Sequence, residues 1–220
     1  MFWVEEENPD IFTVPDDIID VAFDIECKTL PVDHVQSLFD AVSAVLPWLA
    51  DEARAGLHAI HGAETGNGWA RPEHADDLIY LSRRTKLILR IPSERLEDAR
   101  KLSGHRLDVD GNSLVVGAGK PRLLGKTETL YARYVVTSDE ALGEEAFLDA
   151  VIGELKSLDL RFKKVLCGRE HTLRLGGAQR TARSLMVADL PYSDAVRLQE
   201  LGLGQHRNQG CGLFIPHKSV

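Results

Sequence analysis

The sequence lacks most of the features that mark a function class at sight. Cysteine is scarce: Cys27, Cys167 and Cys211 are the only three in 220 residues, and no two form a CxxC pair. That excludes a disulfide framework and leaves the thiols as small apolar groups in or beside strands. No apolar run approaches the about 18 residues that a membrane-spanning helix needs. The N-terminus, MFWVEEENPD, is acidic where a secretory leader carries positive charge and an apolar core. The chain is therefore expected in the cytoplasm, with no membrane partner. It has no Gly-Lys-Ser/Thr phosphate loop and no cofactor motif, so no cofactor is expected.

What is present is ordinary in bulk and uneven in distribution. Hydrophobic residues at 44% and charged residues at 27% are globular values, and 220 residues suffice for one large domain or two small ones. The net charge of -8 conceals a segregation. Residues 1–55 hold thirteen acidic side chains against two basic ones, whereas residues 161–220 hold ten basic against four acidic. The basic set includes Arg161, Lys163, Lys164, Arg169, Arg174, Arg180, Arg183 and Arg207. A positive face on an acidic body is expected.

Periodicity gives the elements. Ile19, Val21, Phe23, Ile25 and Cys27 alternate as one side of a strand. Val35, Leu38, Phe39, Val42 and Leu46 then recur at helical spacing up to Pro47. Residues 79–91 read as one long strand, Ser93 as the cap of a short helix ended by Gly104, and Leu107–Val116 as a hairpin about Asp110-Gly111. The order then restarts: a strand over 129–137, a helix over 144–158, short basic strands over 162–167 and 171–175, a strand over 183–190, a helix over 193–201 and a strand over 211–215. Single residues repeat as well. Ile91-Pro92 followed by Leu102-Ser-Gly-His-Arg106 parallels Leu190-Pro191 followed by Leu203-Gly-Gln-His-Arg207. The expected class is α+β, with two tandem ferredoxin-like (βαββαβ, RRM-like) domains over 1–120 and 127–220, joined by a linker within Gly117–Lys126.

The segment GLGQHRNQGCG, from Gly202 to Gly212, follows a helix and carries glycines at 202, 204, 210 and 212. Glycine admits close approach of a ligand backbone, loop N–H groups can converge on a phosphate, and Arg207 adds a forked cation. It is not a dinucleotide fingerprint, because it follows a helix and no βαβ unit frames it. A helix C-cap followed by a turn explains Gly202 by itself.

This segment resembles the C-terminal glycine signature of the CRISPR RAMP proteins, in particular the Cas6 family of pre-crRNA endoribonucleases. Leu30-Pro-Val-Asp-His34, Pro47-Trp-Leu49, Gly66-Asn-Gly-Trp69, Tyr80-Leu-Ser-Arg-Arg-Thr85 and Gly212-Leu-Phe-Ile-Pro-His-Lys218 are similar to its MYXAN-subtype branch. The resemblance covers essentially the whole chain. It implies tandem ferredoxin-like domains and metal-independent cleavage of CRISPR repeat RNA, in which the ribose 2′-OH attacks the adjacent phosphate. The products implied are a 2′,3′-cyclic phosphate and a 5′-OH. It also implies crRNA as partner, and admits other Cas subunits of an effector complex.

In the family the catalytic histidine lies at the start of the first helix, the position of His34 here; Asp33 could orient its ring. His171 stands among the basic residues and is expected to bind RNA, as are Arg83, Arg84, Arg161, Lys163, Lys164, Arg169 and Arg174. Gly202, Gly204, His206, Arg207, Gly210, Gly212, His217 and Lys218 complete the expected RNA contacts, with residues 176–180 as a hairpin tip that enters a groove. Tyr131, Tyr134 and Lys28 are open alternatives for a catalytic partner. His58 and His61 form an HxxH pair without a third ligand, so no metal is expected; His74 and His105 are expected at the surface. With aromatics at 6%, recognition by charge and loops is favoured over base stacking on a sheet. Two rival functions remain, a non-catalytic crRNA-binding subunit and a small-molecule enzyme on the same fold.

Overall fold

The computed structural model describes residues 12–62, 77–138 and 143–217. The N-terminal half runs β1 (Ile18–Glu26), β2 (Thr29–Pro31), α1 (Val35–Val45), β3 (Gly56–Leu57), β4 (Leu78–Tyr80), β5 (Lys86–Pro92), α2 (Leu96–Arg100), β6 (Arg106–Val109) and β7 (Asn112–Leu123). The C-terminal half runs β8 (Leu130–Val135), α3 (Glu144–Ser157), β9 (Lys164–Leu175), β10 (Ala178–Ala188), α4 (Tyr192–Leu201) and β11 (Ile215–Pro216).

Strand order is β3-β5-β1-β7-β6 in the first sheet and β11-β8-β10-β9 in the second. In each, the first strand of a βαββαβ unit lies between the third and the fourth, with the second at the edge. The hairpin strand β6 extends the first sheet, and β2 pairs β4 apart from it. The chain thus folds as two tandem ferredoxin-like domains.

Alternation builds both cores. Val21, Phe23 and Ile25 of β1 and Leu87, Leu89 and Ile91 of β5 pack on Leu38, Val42 and Leu46 in one cluster. Leu130, Ala132, Leu185 and Val187 pack on Phe147, Val151 and Leu155 of α3 and Ala195 and Leu198 of α4 in another. Each such side chain, once fully buried, contributes about 1.5–3 kcal/mol relative to exposure. Val35, at the first turn of α1, instead joins Tyr134, Val136, Leu173, Leu175, Ala182 and Cys211 in a third cluster that binds the halves together.

Several expected boundaries move. Residues 79–91 are not one strand: β4 stops at Tyr80 and a turn follows, in which Thr85 N–H donates to the Ser82 carbonyl at 3.1 Å. Ser93 caps nothing by its side chain, and the 3-10 turn there has Pro92 at its N-cap. Most of the expected linker is strand, since β7 continues to Leu123 and pairs Ile19 with Leu123. The two basic strands are the single strand β9, and the last strand shrinks to Ile215–Pro216. The hairpin tip does fall at residues 176–177, where Gly176 and Gly177 have φ of 57° and 80°.

Candidate functional site

The two sheets meet along a seam held by one buried guanidinium. Arg90 of β5 is fully buried. Its Nε donates to Asp20 Oδ1 at 2.8 Å and its Nη2 to Oδ2 at 3.2 Å. Nη1 crosses to the other half, donating to the carbonyls of Phe214 at 2.8 Å and Gln199 at 3.1 Å. Burial alone would raise the Asp20 carboxyl, but the Arg90 charge and the His58 and Arg90 bonds override it and hold Asp20 well below the carboxylate range. A buried pair is tolerable when every donor is met, as this guanidinium nearly is.

The glycine loop closes the seam from behind. A Cβ on Gly212 would collide with the Leu203 carbonyl, and one on Gly204 with the Val136 carbonyl. On Gly210 it would sit 3.1 Å from the Leu57 carbonyl and 3.2 Å from the Ala59 nitrogen. The loop amides are also engaged internally: Gly204 N–H donates to Glu154 Oε1 at 2.8 Å, Gln205 N–H to the Val136 carbonyl at 2.8 Å and Gly212 N–H to the Tyr134 carbonyl at 2.7 Å. Gly202, Gly204, Gly210 and Gly212 are the glycines expected to contact RNA. Their missing side chains admit the protein's own backbone, where a phosphate cradle was expected.

Arg207 belongs to the same packing. A Cβ on Gly202 would strike its guanidinium, whose Nη2 donates to the Arg54 carbonyl at 3.3 Å. Burial, with Arg90 nearby, lowers it to about 9, so it stays charged at neutral pH. It is a strut inside the seam, not a surface cation. His206 is half-buried, with Nδ1 2.9 Å from Gln209 Oε1.

His34, the expected catalytic group, stands at the N-cap of α1. It is 2% exposed, its Nδ1 lies 2.8 Å from the Pro31 carbonyl, and its Nε2 accepts the Ile60 N–H at 3.0 Å. An acceptor at Nε2 puts the proton on Nδ1, so the ring is a neutral bridge between two backbone segments, as assigned from its bonds. Asp33 accepts the Arg174 N–H at 3.2 Å. Gln36 Oε1 accepts from Gly176 N–H and from Gln209 Nε2, each at 2.6 Å, tying α1 to the β9–β10 hairpin and the glycine loop.

Beside this bridge three rings from three parts of the chain meet. The Tyr134 ring is 3% exposed, with the His61 centroid 6.2 Å away and the His171 centroid 5.3 Å away at an interplanar angle of 87°. His61 and Tyr134 also line a cavity of about 340 Å³ between the sheets, whose wall includes His58, Arg122 and Arg133. His58 Nε2 is 3.8 Å from Asp20 Oδ1, and burial lowers its basicity despite that carboxylate. Among the described residues no group of three or more His, Cys, Asp or Glu could hold a metal ion.

The basic cluster is partly neutralised. Arg161 Nε meets Asp194 at 2.8 Å and Lys164 meets Asp189 at 3.1 Å. Lys163, Arg169 and Arg174 are exposed along or just before β9, with His171 half-buried among them. Arg83 and Arg84 sit in the exposed turn after β4, and Arg83 lines a groove of about 1160 Å³ together with Lys28, Arg106, Asp24 and Glu26. His217 lies against Tyr131, ring centroids 5.8 Å apart. Lys218, His74 and the Gly66–Trp69 motif lie outside the described residues. Neither the pairing of Asp20 with Arg90 nor a role for His61 beyond the HxxH pair was among the expectations from sequence.

The protein-family model described as Cas6 Crispr matches residues 19–219. A CRISPR-associated endonuclease Cas6 of Myxococcus xanthus (strain DK1622) is 30% identical over 198 residues, covering 90% of this chain and 81% of the relative. A solved structure described as CRISPR associated protein Cas6 has a TM-score of 0.67 at 13% identity, covering 91% of this chain and 100% of that one. Another, described as an RAMP protein binding different RNA substrates, has a TM-score of 0.62 at 14% identity, covering 89% and 98%. At such identities the solved structures speak to the fold, and they agree with the tandem arrangement. No helix among the described residues is long and apolar enough to cross a membrane.

Proposed function

The chain belongs to the Cas6 family, and on that premise we propose that it is a metal-independent endoribonuclease that cuts CRISPR repeat RNA. The ribose 2′-OH attacks the adjacent phosphate, leaving a 2′,3′-cyclic phosphate on one product and a 5′-OH on the other. That reaction needs groups near neutral pKa to move two protons, and cations to hold the charge of the phosphorane. The observation that carries the reading is the seam cavity, where imidazoles, a phenol, Arg122 and Arg133 line one space between the sheets. Lys163, Arg169, Arg174 and the hairpin tip would follow the phosphates of an RNA stem, and Arg83 and Arg84 would extend the track on the other half. Such contacts set register and make binding salt-dependent.

The test is incubation of CRISPR repeat RNA with the protein in EDTA, with product ends assigned chemically. Cleavage to cyclic phosphate and 5′-OH ends is expected, abolished by a 2′-deoxy sugar at the cut. The burial of His34, the position that the family resemblance assigns to proton transfer, favours a second reading: a crRNA-binding subunit that joins other Cas subunits without cutting. RNA bound tightly and left intact in the same assay, with or without added divalent metal, would establish that reading instead.

A further inference from the structure

We infer that His61 and His171, both in ring contact with Tyr134, move the protons in the cut, and that His34 is a positioning residue that acts through Ile60. The inference rests on the ribonuclease reading and deepens it.

Three observations meet at this point. The rings come from separate elements, His61 from the segment after β3, Tyr134 from β8 and His171 from β9, and each imidazole lies within 6.2 Å of the phenol centroid. Both imidazoles are half-buried while His34 is sealed, so of these histidines His61 and His171 are the ones that RNA can approach. His61 and Tyr134 form part of the cavity wall, and His171 adjoins the exposed basic residues of β9.

The supports are as specific as the rings. His34 Nε2 holds the Ile60 N–H, one residue from His61. His58 N–H donates to the Ile88 carbonyl at 3.0 Å, and the bare face of Gly210 presses on Leu57 and Ala59. The segment carrying His61 is therefore fixed from three sides. His171 is held in the ladder opposite Ala182. Among the described residues the charged and titratable groups near the rings include Arg122, Arg133, Asp20 and His58 in the cavity wall, Arg180 two pairs along from Ala182 and opposite Leu173, Glu170 next to His171, and Asp33 on the Arg174 N–H. Arg122, Arg133 and Arg180 supply cations of the kind a phosphate site needs.

The chemistry balances without a co-reactant. One neutral imidazole takes the 2′-OH proton as the 2′-oxygen bonds to phosphorus. The P–O5′ bond breaks, and the other ring, as imidazolium, gives its proton to the departing 5′-oxygen. Exchange with solvent restores both rings. Two groups with opposite protonation demands give a rate that falls on both sides of a pH optimum.

The test is single-turnover cleavage of CRISPR repeat RNA at saturating protein, across pH, with melting curves for each variant. His61→Ala and His171→Ala should each lose about 100-fold or more in rate, and each should erase one limb of the pH profile. His34→Gln, whose amide oxygen can still accept the Ile60 N–H, should lose less than about tenfold and keep both limbs. His34→Ala should lower both the melting temperature and the rate. Wild-type rates in His61→Ala and His171→Ala would overturn the assignment. So would a His34→Gln variant that melts normally but loses the rate and a limb, because His34 would then carry the proton itself. Failure of the wild-type protein to cut in EDTA counts against the ribonuclease reading, and is distinct from either result.

Discussion

The two halves share one topology and differ in the sheet face turned from their helices. In the first sheet that face is charged: Asp20 pairs with Arg90 and Arg122, and Asp24 with Lys86. In the second, Ile215, Tyr131, Met186 and Leu166 lie in register across all four strands, with Leu166 58% exposed and Ile215 40%. One duplicated fold thus presents an ionic face and an apolar one. The difference teaches a division of labour. The ionic face locks the halves together through Arg90, and the second sheet supplies Tyr134, His171 and the basic hairpin.

The most damaging way to break the comparison is to remove the lock. Arg90→Ala leaves the buried Asp20 without its principal partner and removes the donor to the carbonyls of Phe214 and Gln199 in the other half. It should cost about 3–5 kcal/mol, read as a lower urea midpoint. Arg122→Ala removes a guanidinium 52% exposed from the same carboxylate and should cost less than about 1 kcal/mol. Equal losses would mean that the ladder acts as a surface network and that the halves are held by something else.

Next in size is the glycine loop. Gly212 has φ of 65° and faces the Leu203 carbonyl, so Gly212→Ala should cost about 1–3 kcal/mol from backbone strain alone, with the collision added. The control is Gly153, exposed in α3 with nothing near its Cβ direction. Gly153→Ala should gain about 0.5–1 kcal/mol through helix propensity. If Gly212→Ala folded normally but bound RNA poorly, the loop would be a phosphate cradle after all.

These contrasts show what was legible in the sequence. Alternation marked Ile19–Cys27 as a half-buried strand and the repeat marked both halves, but the register that sets Asp20 against Arg90 follows only from how β1 and β5 pair. The Ser82–Thr85 turn was hidden because Arg83 and Arg84 sit between apolar runs that read continuously. The glycines stood out, but their neighbours come from β3, β8 and the loop itself, and no local pattern carries that. His34 sat at a helix start beside an apolar stripe, so its burial depended on Ile60, 26 residues later. The meeting of His61, Tyr134 and His171 spans 110 residues and follows only from how the halves dock.

A smaller effect separates the titrating groups of the ionic face. Folding lowers His58 below its ordinary value of 6.5, through burial first and the Arg90 and Arg122 charges after the opposing Asp20 bond. As pH falls through that value the unfolded chain takes a proton that the folded one resists, so stability drops. Asp20 acts in the same direction at lower pH: its depressed carboxyl contributes stability above about pH 4, lost as the pH falls further. The melting temperature should decline from about pH 7 to pH 5.5, and His58→Gln should flatten that decline. An unchanged slope in His58→Gln would assign the acid sensitivity to other histidines.

The smallest expected effects sharpen the comparison most, because they ask which half tracks the phosphates. Each lysine or arginine that neutralises a phosphate adds about one to the slope of log affinity against log salt. Lys163→Ala and Arg169→Ala in the second half should each reduce that slope by about one. Lys164→Ala should reduce it less, since Asp189 already holds that ammonium at 3.1 Å. Arg83→Ala and Arg84→Ala measure the first half, where the groove beside Arg83 also holds Asp24 and Glu26, carboxylates that oppose an RNA strand. A slope carried by the second half alone would confine the stem to β9 and the hairpin. Equal reductions in both halves would mean that the RNA crosses the seam, past His61, and that the acidic groove wall is bridged by cations from solution.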